Sequence, residues 1–318
     1  ILTLFKPFFE SDCLLIGQNL KFDLRVLAQN QIKPKNPLFD TMVAHYVLHS
    51  ERKHNLDDLS KTYLNYEPIS IESLIGKKGK NQSQMQMIDI ETVTIYACED
   101  ADLTFQLYLL LKQKLQSDEM EQLFYQVEMP LVKILAEMED SGINLDIKAL
   151  NEYDLVLEQE TLQIEKEIFE CAGKSFNINS PKQLGDILFN TLDLHKGKKK
   201  SNLSTAEDVL VKLKSEHPIV EKVLEYRSLQ KLRSTYIKAL PLLINPKDKR
   251  LHTQYNQALT STGRLSSNNP NLQNIPIKTE KGREIRKSFI PKDEQHCLVS
   301  ADYSQIELRI IASLSEDP

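Results

Sequence analysis

Residues 297–314 read CLVSADYSQIELRIIASL, and the change of pattern within them is the clearest guide to the architecture. The apolar run 297–301 predicts a short buried strand that ends at Asp302, and the spacing of the later isoleucines and leucine predicts a helix over 305–314. An aspartate between a buried strand and a helix is a common position for a metal ligand, and Glu307 follows five residues later. An aspartate that only caps the following helix is the alternative, and the spacing leaves both open.

Upstream, the first third of the chain alternates between short strands and helices. Apolar residues 14–16 predict a strand, and helical spacing follows over 20–28. Further helices are predicted to begin near Thr41 and after Asn55, and a long amphipathic helix is predicted over 92–115. Such alternation is typical of an α/β domain.

The middle of the chain, residues 117–245, has an almost continuous helical pattern. Asp146 is predicted to cap a helix of about 25 residues, and Ser204 is predicted to begin a capping box. The character then changes, because 251–256 alternates like a strand, whereas the polar segment 260–282 predicts an ordered loop or a disordered segment.

Composition excludes several classes of protein. The 318 residues have room for two domains, and 41% apolar with 27% charged residues exclude a disordered chain. No apolar run approaches the roughly 18 residues of a membrane-spanning helix, so we expect no membrane partner. Four widely spaced cysteines without a CxxC pair argue against a disulfide scaffold and fit a cytoplasmic protein. The chain begins at Ile1 without a signal-peptide pattern, and we expect a piece of a longer protein.

Charge is unevenly distributed along the chain. The net charge is −5, but residues 227–292 contain fourteen Lys or Arg and three Asp or Glu, which gives this stretch +11 and the remainder −16. A local field of that sign attracts phosphate, and a solvated basic face is the alternative. The basic loop 196–200 has the same two interpretations, a phosphate contact or a solvated turn.

Two pairs spaced four residues apart suggest chemistry in the first domain. Asn19 and Asp23 are predicted to share one face of a helix, as are Tyr96 and Asp100. Asp100 lies on the inward stripe of its helix, where an ionised carboxylate is costly unless it is paired or binds a metal, while Glu99 is predicted to face solvent. Carboxylates that bind Mg²⁺ and a tyrosine that orients water suit phosphodiester hydrolysis. Ordinary surface pairs are the alternative.

The loop Thr262–Pro276 combines glycine and proline with polar side chains, among them Arg264, Gln273 and Asn274. Every base pair presents an acceptor in the minor groove, so an arginine and an amide on a braced loop can test base-pair geometry without reading sequence. An ordinary polar loop is the alternative.

Taken together, these segments resemble family A DNA polymerases. The runs 262–276 and 301–314 carry the resemblance, and 302–309 is similar to the family's motif A. Residues 16–23 and 96–102 resemble the second and third motifs of its proofreading exonuclease.

For the exonuclease, the resemblance implies that Asp100 and Asp23 are catalytic residues that hold metal ions. It implies that Asn19 contacts the bound DNA strand and that Tyr96 positions the attacking water. The family's first exonuclease motif, an Asp-x-Glu pair, is absent from this chain.

For the polymerase, the resemblance implies that Arg227 and Lys231 contact the DNA backbone. It implies that Arg264 reaches the minor groove at the primer end, with Gln273 and Asn274 close to the duplex.

At the polymerase active site, the resemblance implies that Asp302 is catalytic and binds metal together with the carbonyl of Tyr303. Glu307 and Gln305 would select the nucleotide sugar, and Arg309 would support Glu307. The fingers helix and the later His-Asp-Glu motif are absent from this sequence, so we expect the chain alone to be nearly inactive.

The implied fold is an α/β, ribonuclease H-like exonuclease fragment, followed by a mainly helical thumb and the first part of an α+β palm. The implied domains are an exonuclease at 1–116 and a polymerase fragment at 117–318, with the thumb at about 120–242 and the palm from about 243.

The implied activity is DNA-directed DNA synthesis with 3′–5′ proofreading in replication and repair, through two-metal sites that use Mg²⁺ or alternatively Mn²⁺. Implied partners are primer-template DNA and deoxynucleoside triphosphates, for a monomer in the bacterial cytoplasm or nucleoid. The alternatives are a stand-alone 3′–5′ exonuclease and a non-catalytic DNA-binding module.

Overall fold

The computed structural model describes residues 2–79, 81–194 and 204–315, so the basic loop 196–200 lies outside the described residues. The chain forms two compact units: unit 1 is Ile1–Gly142 with His252–Asn274, and unit 2 is Ile143–Leu251 with Ile275–Pro318. Within the described ranges, no helix is both long and apolar enough to cross a membrane.

The described chain is mainly helical. Its α-helices are α1 Leu2–Phe9, α2 Leu20–Gln29, α3 Thr41–Leu48, α4 Leu56–Leu59, α5 Ile71–Ile75, α6 Ile90–Ser117, α7 Glu121–Leu123, α8 Met129–Ser141, α9 Ile147–Ala172, α10 Pro181–Gly185, α11 Glu207–Lys212, α12 Pro218–Lys231, α13 Glu280–Lys287 and α14 Ile306–Ser315. Its strands are β1 Leu15–Gly17, β2 Leu38–Asp40, β3 Asn144–Leu145, β4 Gln254–Asn256, β5 Ser266–Asn268 and β6 Phe289–Ile290.

Unit 1 begins with a strand–helix–strand arrangement. Strands β1 and β2 are parallel, with Leu15 opposite Leu38 and Gly17 opposite Asp40, and α2 connects them. The strand before Gly17 and the helix after it are confirmed. Because parallel neighbours end at the same edge of a sheet, the residues that follow β1 and β2 lie close together.

The core of unit 1 is built against α6, whose Leu103, Leu107 and Leu111 are at most 3% exposed. Phe39 of β2 is fully buried, and its ring centroid lies 4.8 Å from that of Phe124. The leucines recur every four residues, as the sequence pattern predicted, and this stripe fixes the rotation of α6 about its axis.

The antiparallel pair β4–β5 also belongs to unit 1. The strand predicted at 251–256 is confirmed for its last three residues, but the polar segment 260–282 contains β5 and the start of α13. The polar sequence did not predict β5 because a strand was expected to carry apolar side chains. In β5 the buried Ser267 hydroxyl instead forms a hydrogen bond of 2.7 Å with the buried Thr253 hydroxyl, which satisfies both groups.

Unit 2 is organised by α9 and α12, which pack along one another. Asp146 caps α9 by accepting from the Ala149 amide at 2.9 Å, as predicted. The capping box predicted at Ser204 is wrong, because α11 begins only at Glu207 after Ala206, which makes no side-chain cap. The Ser204 hydroxyl instead accepts from the Ala206 amide at 3.1 Å.

The strand predicted at 297–301 is wrong. This segment has no regular secondary structure, and Val299 is 84% exposed. Within the described part of unit 2 no strand pairs with it, and a strand without a partner leaves its amide groups unmatched. The helix predicted after it is confirmed as α14, but the isoleucines expected to be inside, such as Ile310, are exposed.

Candidate functional site

The start of α2 presents the first candidate residue. Asn19 immediately precedes the helix in a left-handed conformation, with φ 60° and ψ 49°. Asparagine tolerates this conformation better than most residues. Asn19 is therefore the cap that precedes α2, and its backbone N–H donates to the buried Asp40 carboxylate at 3.0 Å. The face that its side chain shares with Asp23 stays a prediction.

Asp40 is a residue whose role the sequence pattern missed. Its Oδ2 accepts from the Leu20 amide at 2.7 Å, and its Oδ1 accepts from the Asn19 amide and, at 2.9 Å, from that of Met42. It therefore caps α3 and also holds the start of α2. Burial raises the pKa of Asp40 to about 6, and the backbone donors oppose this rise. The position of Asp40 at the end of a strand, next to a parallel neighbour, is the signal that could have indicated this role.

Asp23 lies in the first turn of α2. Desolvation by the surrounding atoms raises the pKa of its carboxyl group, and a backbone hydrogen bond opposes the rise, although the residue keeps an exposed surface. A carboxylate that is partly desolvated and still reachable from solvent suits a ligand for a hard cation.

Tyr96 and Asp100 are half-buried neighbours on α6. Desolvation raises the pKa of Asp100, and a hydrogen bond with the Tyr96 hydroxyl lowers it. Burial, followed by the charge of Asp100, raises the pKa of Tyr96 to about 12, so the phenol stays protonated and donates. The negative charge of Asp57 on α4 raises the pKa of both groups, an effect that the sequence pattern did not indicate.

Glu99, which was predicted to face solvent, is partly exposed and also binds two neighbouring groups. Its carboxylate accepts from the Tyr66 hydroxyl at 2.6 Å and from the Ile69 amide at 2.7 Å. It therefore holds residues 66–69 beside the helix turn that carries Asp100. Its charge also raises the pKa of Asp100.

The donor chemistry of these residues suits Mg²⁺, since carboxylate oxygens are its preferred protein ligands. The charge of Asp57 raises the pKa of Asp100, whereas the hydrogen bond that acts on the Asp23 carboxyl group comes from backbone. No group of three His, Cys, Asp or Glu side chains is arranged to hold a metal among the described residues. The residues fit the metal in type without forming a full ligand set.

The second candidate group lies at the end of unit 2. Asp302 and Tyr303 are on the exposed segment before α14, and Gln305 adopts a left-handed conformation with φ 53° where the helix begins. Glu307 and Arg309 lie on the exposed helix itself. The structure thus places these five residues on one short stretch without burying any of them.

The loop candidates lie in unit 1. Arg264 is exposed, and its carbonyl accepts from the Thr260 hydroxyl at 2.7 Å. The Gln273 amide bridges its own loop, because it accepts from the Ser267 amide at 3.2 Å and donates to the Leu265 carbonyl at 3.1 Å. Gln273 therefore braces the loop that presents Arg264. Asn274 is exposed at its end.

Arg227 and Lys231 lie on α12 and differ in environment. The half-buried Arg227 guanidinium donates to the Thr205 carbonyl and, at 3.3 Å, to the Thr205 hydroxyl, and burial lowers its pKa. Lys231 is exposed.

Acidic side chains of α9 offset part of the basic stretch. The buried Arg233 donates to Asp154 and to Glu158, each at 2.7 Å, and Lys281 donates to Glu160 at 2.5 Å. The field expected from the sequence count is therefore weaker in the folded unit, because paired charges largely cancel at a distance.

Comparison with known proteins gives matches along the chain. A model for DNA polymerase family A matches residues 147–318, and a model for 3′–5′ exonucleases matches residues 1–116. DNA polymerase I of Borreliella burgdorferi is 45% identical over 317 residues, which is 100% of this chain and 34% of the relative. DNA polymerase I of Synechocystis is 47% identical over 306 residues, which is 95% of this chain and 31% of the relative.

Among solved structures, the polymerase domain of Pol1 from M. smegmatis, in complex with DNA primer-template and dNTP, matches with a TM-score of 0.80. It is 32% identical, and the match covers 99% of this chain and 52% of that one. The chain thus spans about a third of the length of the two relatives named above.

Proposed function

Since the chain belongs to DNA polymerase family A, we propose that it is part of an enzyme that extends a DNA primer along a template and removes mispaired 3′ ends at a separate site. The resemblance and the fold class predicted from the sequence are confirmed by the two family matches. The domain bounds 1–116 and 117–318 remain our proposal.

The observation that carries this proposal is the succession of an exonuclease match and a polymerase match in one chain, each with candidate carboxylates inside it. A stand-alone exonuclease has no use for the polymerase segment, and a non-catalytic DNA-binding module gives no reason for Asp302 or Glu307. Both alternatives therefore account for less of the sequence.

In the proposed trimming site, the Tyr96 hydroxyl is protonated and orients the attacking water, while Asn19 contacts the DNA strand. Asp100 and Asp23 would hold divalent metal, on which enzymes of this family depend, and we propose Mg²⁺, with Mn²⁺ as a substitute. When bound, the metal supplies an acidified water and neutralises charge on the leaving oxygen.

In the proposed synthesis site, Asp302 and the carbonyl of Tyr303 would hold the metal. Glu307 and Gln305 select the sugar of the incoming nucleotide, and Arg309 neutralises Glu307. Arg264, Gln273 and Asn274 lie at the primer duplex, and Arg227 and Lys231 meet its backbone. Positioning and charge neutralisation account for most of the rate in phosphoryl transfer, so these side chains act mainly by orientation.

Primer-template DNA and deoxynucleoside triphosphates are the proposed partners, and the complex formed by the M. smegmatis domain supports both. We also propose that the enzyme is a monomer and that it acts in replication and repair in the bacterial cytoplasm or nucleoid. The bacterial DNA polymerase I relatives support the part of this proposal that concerns replication and repair in bacteria.

The test uses the full-length protein and two substitutions. Asp302→Ala should reduce primer extension to background while 3′ trimming continues, and Asp100→Ala should do the reverse. Both activities are measured on one labelled primer-template, with and without nucleotides. Equal loss of both activities in both variants would refute the assignment of two sites.

A further inference from the structure

We propose that Glu139 is a positioning residue for 3′-end hydrolysis, because it holds the helix that carries Asp23. This inference rests on the proposed function, and it concerns only unit 1. Glu139 lies on α8, and 1% of its side chain is exposed. A carboxylate so deeply buried is costly to maintain unless its partners satisfy it, so its partners indicate its role.

Both oxygens of Glu139 are engaged by α2. Its Oε1 accepts from the Lys21 ammonium at 2.5 Å, and its Oε2 accepts from the Arg25 guanidinium at 2.7 Å. Arg25 also donates from Nε to Asp140 at 2.7 Å. Two consecutive carboxylates of α8, Glu139 and Asp140, therefore form ion pairs with side chains on one face of α2.

Helix geometry relates these ion pairs to Asp23. Lys21 and Arg25 are four residues apart and share a face, whereas Asp23 lies about 200° around the axis from Lys21 at about 100° per residue. Glu139 consequently binds the face of α2 that lies opposite Asp23. Asp40 holds the first amides of the same helix, so Asp23 is carried by a helix fixed at its start and along its back.

A third element meets the same carboxylate. The Tyr255 amide of β4 donates to Oε1 of Glu139 at 2.7 Å, and the Lys21 ammonium also donates to the Tyr255 carbonyl. Strand β4 pairs with β5, which follows directly on the turn that presents Arg264. Glu139 thus sets the position of α2 relative to the β4–β5 pair.

The test is Glu139→Gln in the full-length protein, a change that keeps the shape and removes the charge. Loss of a group that supports a metal ligand typically costs 10–100-fold in metal affinity or activity. We expect kcat for trimming a single-stranded 3′ end to fall by about that factor, with the KM for DNA unchanged. Mn²⁺ binding to the exonuclease site, followed by electron paramagnetic resonance, should weaken in parallel.

A double-mutant cycle separates positioning from general stability. If Glu139 acts through Asp23, then adding Glu139→Gln to Asp23→Asn should lower trimming by less than about twofold, because coupled residues are not additive. Asp154→Asn is the matched control, since it removes an acidic partner of the buried Arg233 in unit 2, and it should leave trimming and Mn²⁺ binding unchanged.

Unchanged kinetics and Mn²⁺ affinity in Glu139→Gln would overturn the inference, as would losses that multiply in the Asp23→Asn background. If Glu139→Gln does not fold, Arg25→Gln removes the guanidinium that binds both Glu139 and Asp140, and it is judged by the same criteria. Absence of trimming in the parent enzyme would refute the proposed function itself, and the inference with it. Normal trimming with no effect at Glu139 refutes only the inference.

Discussion

Asp100 and Asp302 are proposed to do the same kind of chemistry, but the chain surrounds them very differently. Asp100 lies on a 28-residue helix whose leucine stripe is buried, and Tyr96, Glu99 and Asp57 act on its carboxyl group. Asp302 lies on an exposed segment before an exposed helix. The described residues of unit 1 thus surround Asp100 and change the pKa of its carboxyl group. In unit 2, Asp302 is exposed on its segment.

The contrast shows what orients a catalytic side chain. A helix with one face in a core has a defined rotation about its axis, so every side chain on it has a defined direction. A segment without buried apolar groups or ladder bonds lacks this constraint.

The largest expected effect is on the free energy of unfolding, and it should differ between the buried helix α6 and the exposed helix α14. Leu107→Ala in α6 should lower the free energy of unfolding by about 2–5 kcal/mol, because it leaves a cavity in the core. Ile310→Ala in α14, where the side chain is half exposed, should change it by about 0.5 kcal/mol or less. Urea denaturation of the chain measures both. Equal losses in the two variants would show that α14 is as well packed as α6.

The next effect concerns the pH dependence of the stability of unit 1. In unit 1, burial, followed by the charge of His54 at 2.7 Å, lowers the pKa of His45 from 6.5 to about 4. A base with a lowered pKa contributes stability that is present above pH 6.5 and is lost as the pH falls toward 4, at about 1.4 kcal/mol per pH unit. His45→Gln should remove this contribution, so the difference in denaturation midpoint between the parent and the variant, followed from pH 7 to 4, measures the loss. A difference that does not change with pH would contradict it.

Substitutions of Asp40 test how far the stability of unit 1 and the position of its site residues depend on one buried carboxylate. Asp40→Ala removes the cap of α3 and leaves the Leu20 amide without its acceptor, so unfolding should become easier by about 1–3 kcal/mol. Asp40→Asn keeps one acceptor oxygen and should cost less. Thermal denaturation gives the stabilities, and trimming assays report on Asn19 and Asp23. Normal stability in Asp40→Ala would contradict the bonds described above.

The smallest effect concerns the cations of unit 2. Lys231→Ala should reduce the slope of log affinity against log salt by about 1, as expected for one lost phosphate contact. Arg227 also donates to Thr205, so Arg227→Ala should lower the free energy of unfolding in addition to reducing the slope. Duplex binding by fluorescence anisotropy at several salt concentrations measures the slopes. An unchanged slope in either variant would contradict the proposed backbone contact of that residue.

Local signals predicted much of the fold. The cap at Asp146, the strand before Gly17 and the leucine stripe of α6 depend on neighbours within a few residues, and each was read correctly. The spacing of Tyr96 and Asp100 likewise placed two interacting side chains on one helix, because four residues make about one turn.

Tertiary structure decided what depends on distant partners. The effect of the Asp57 charge on Asp100 and the ion pairs of Glu139 with α2 involve residues about forty to over a hundred positions apart, and no local pattern encodes them. The same holds for 297–301, which has strand-like composition but no pairing strand among the described residues. Helix boundaries are set by bonds that close within a turn, whereas burial, pairing and charge compensation depend on which segments meet when the chain folds.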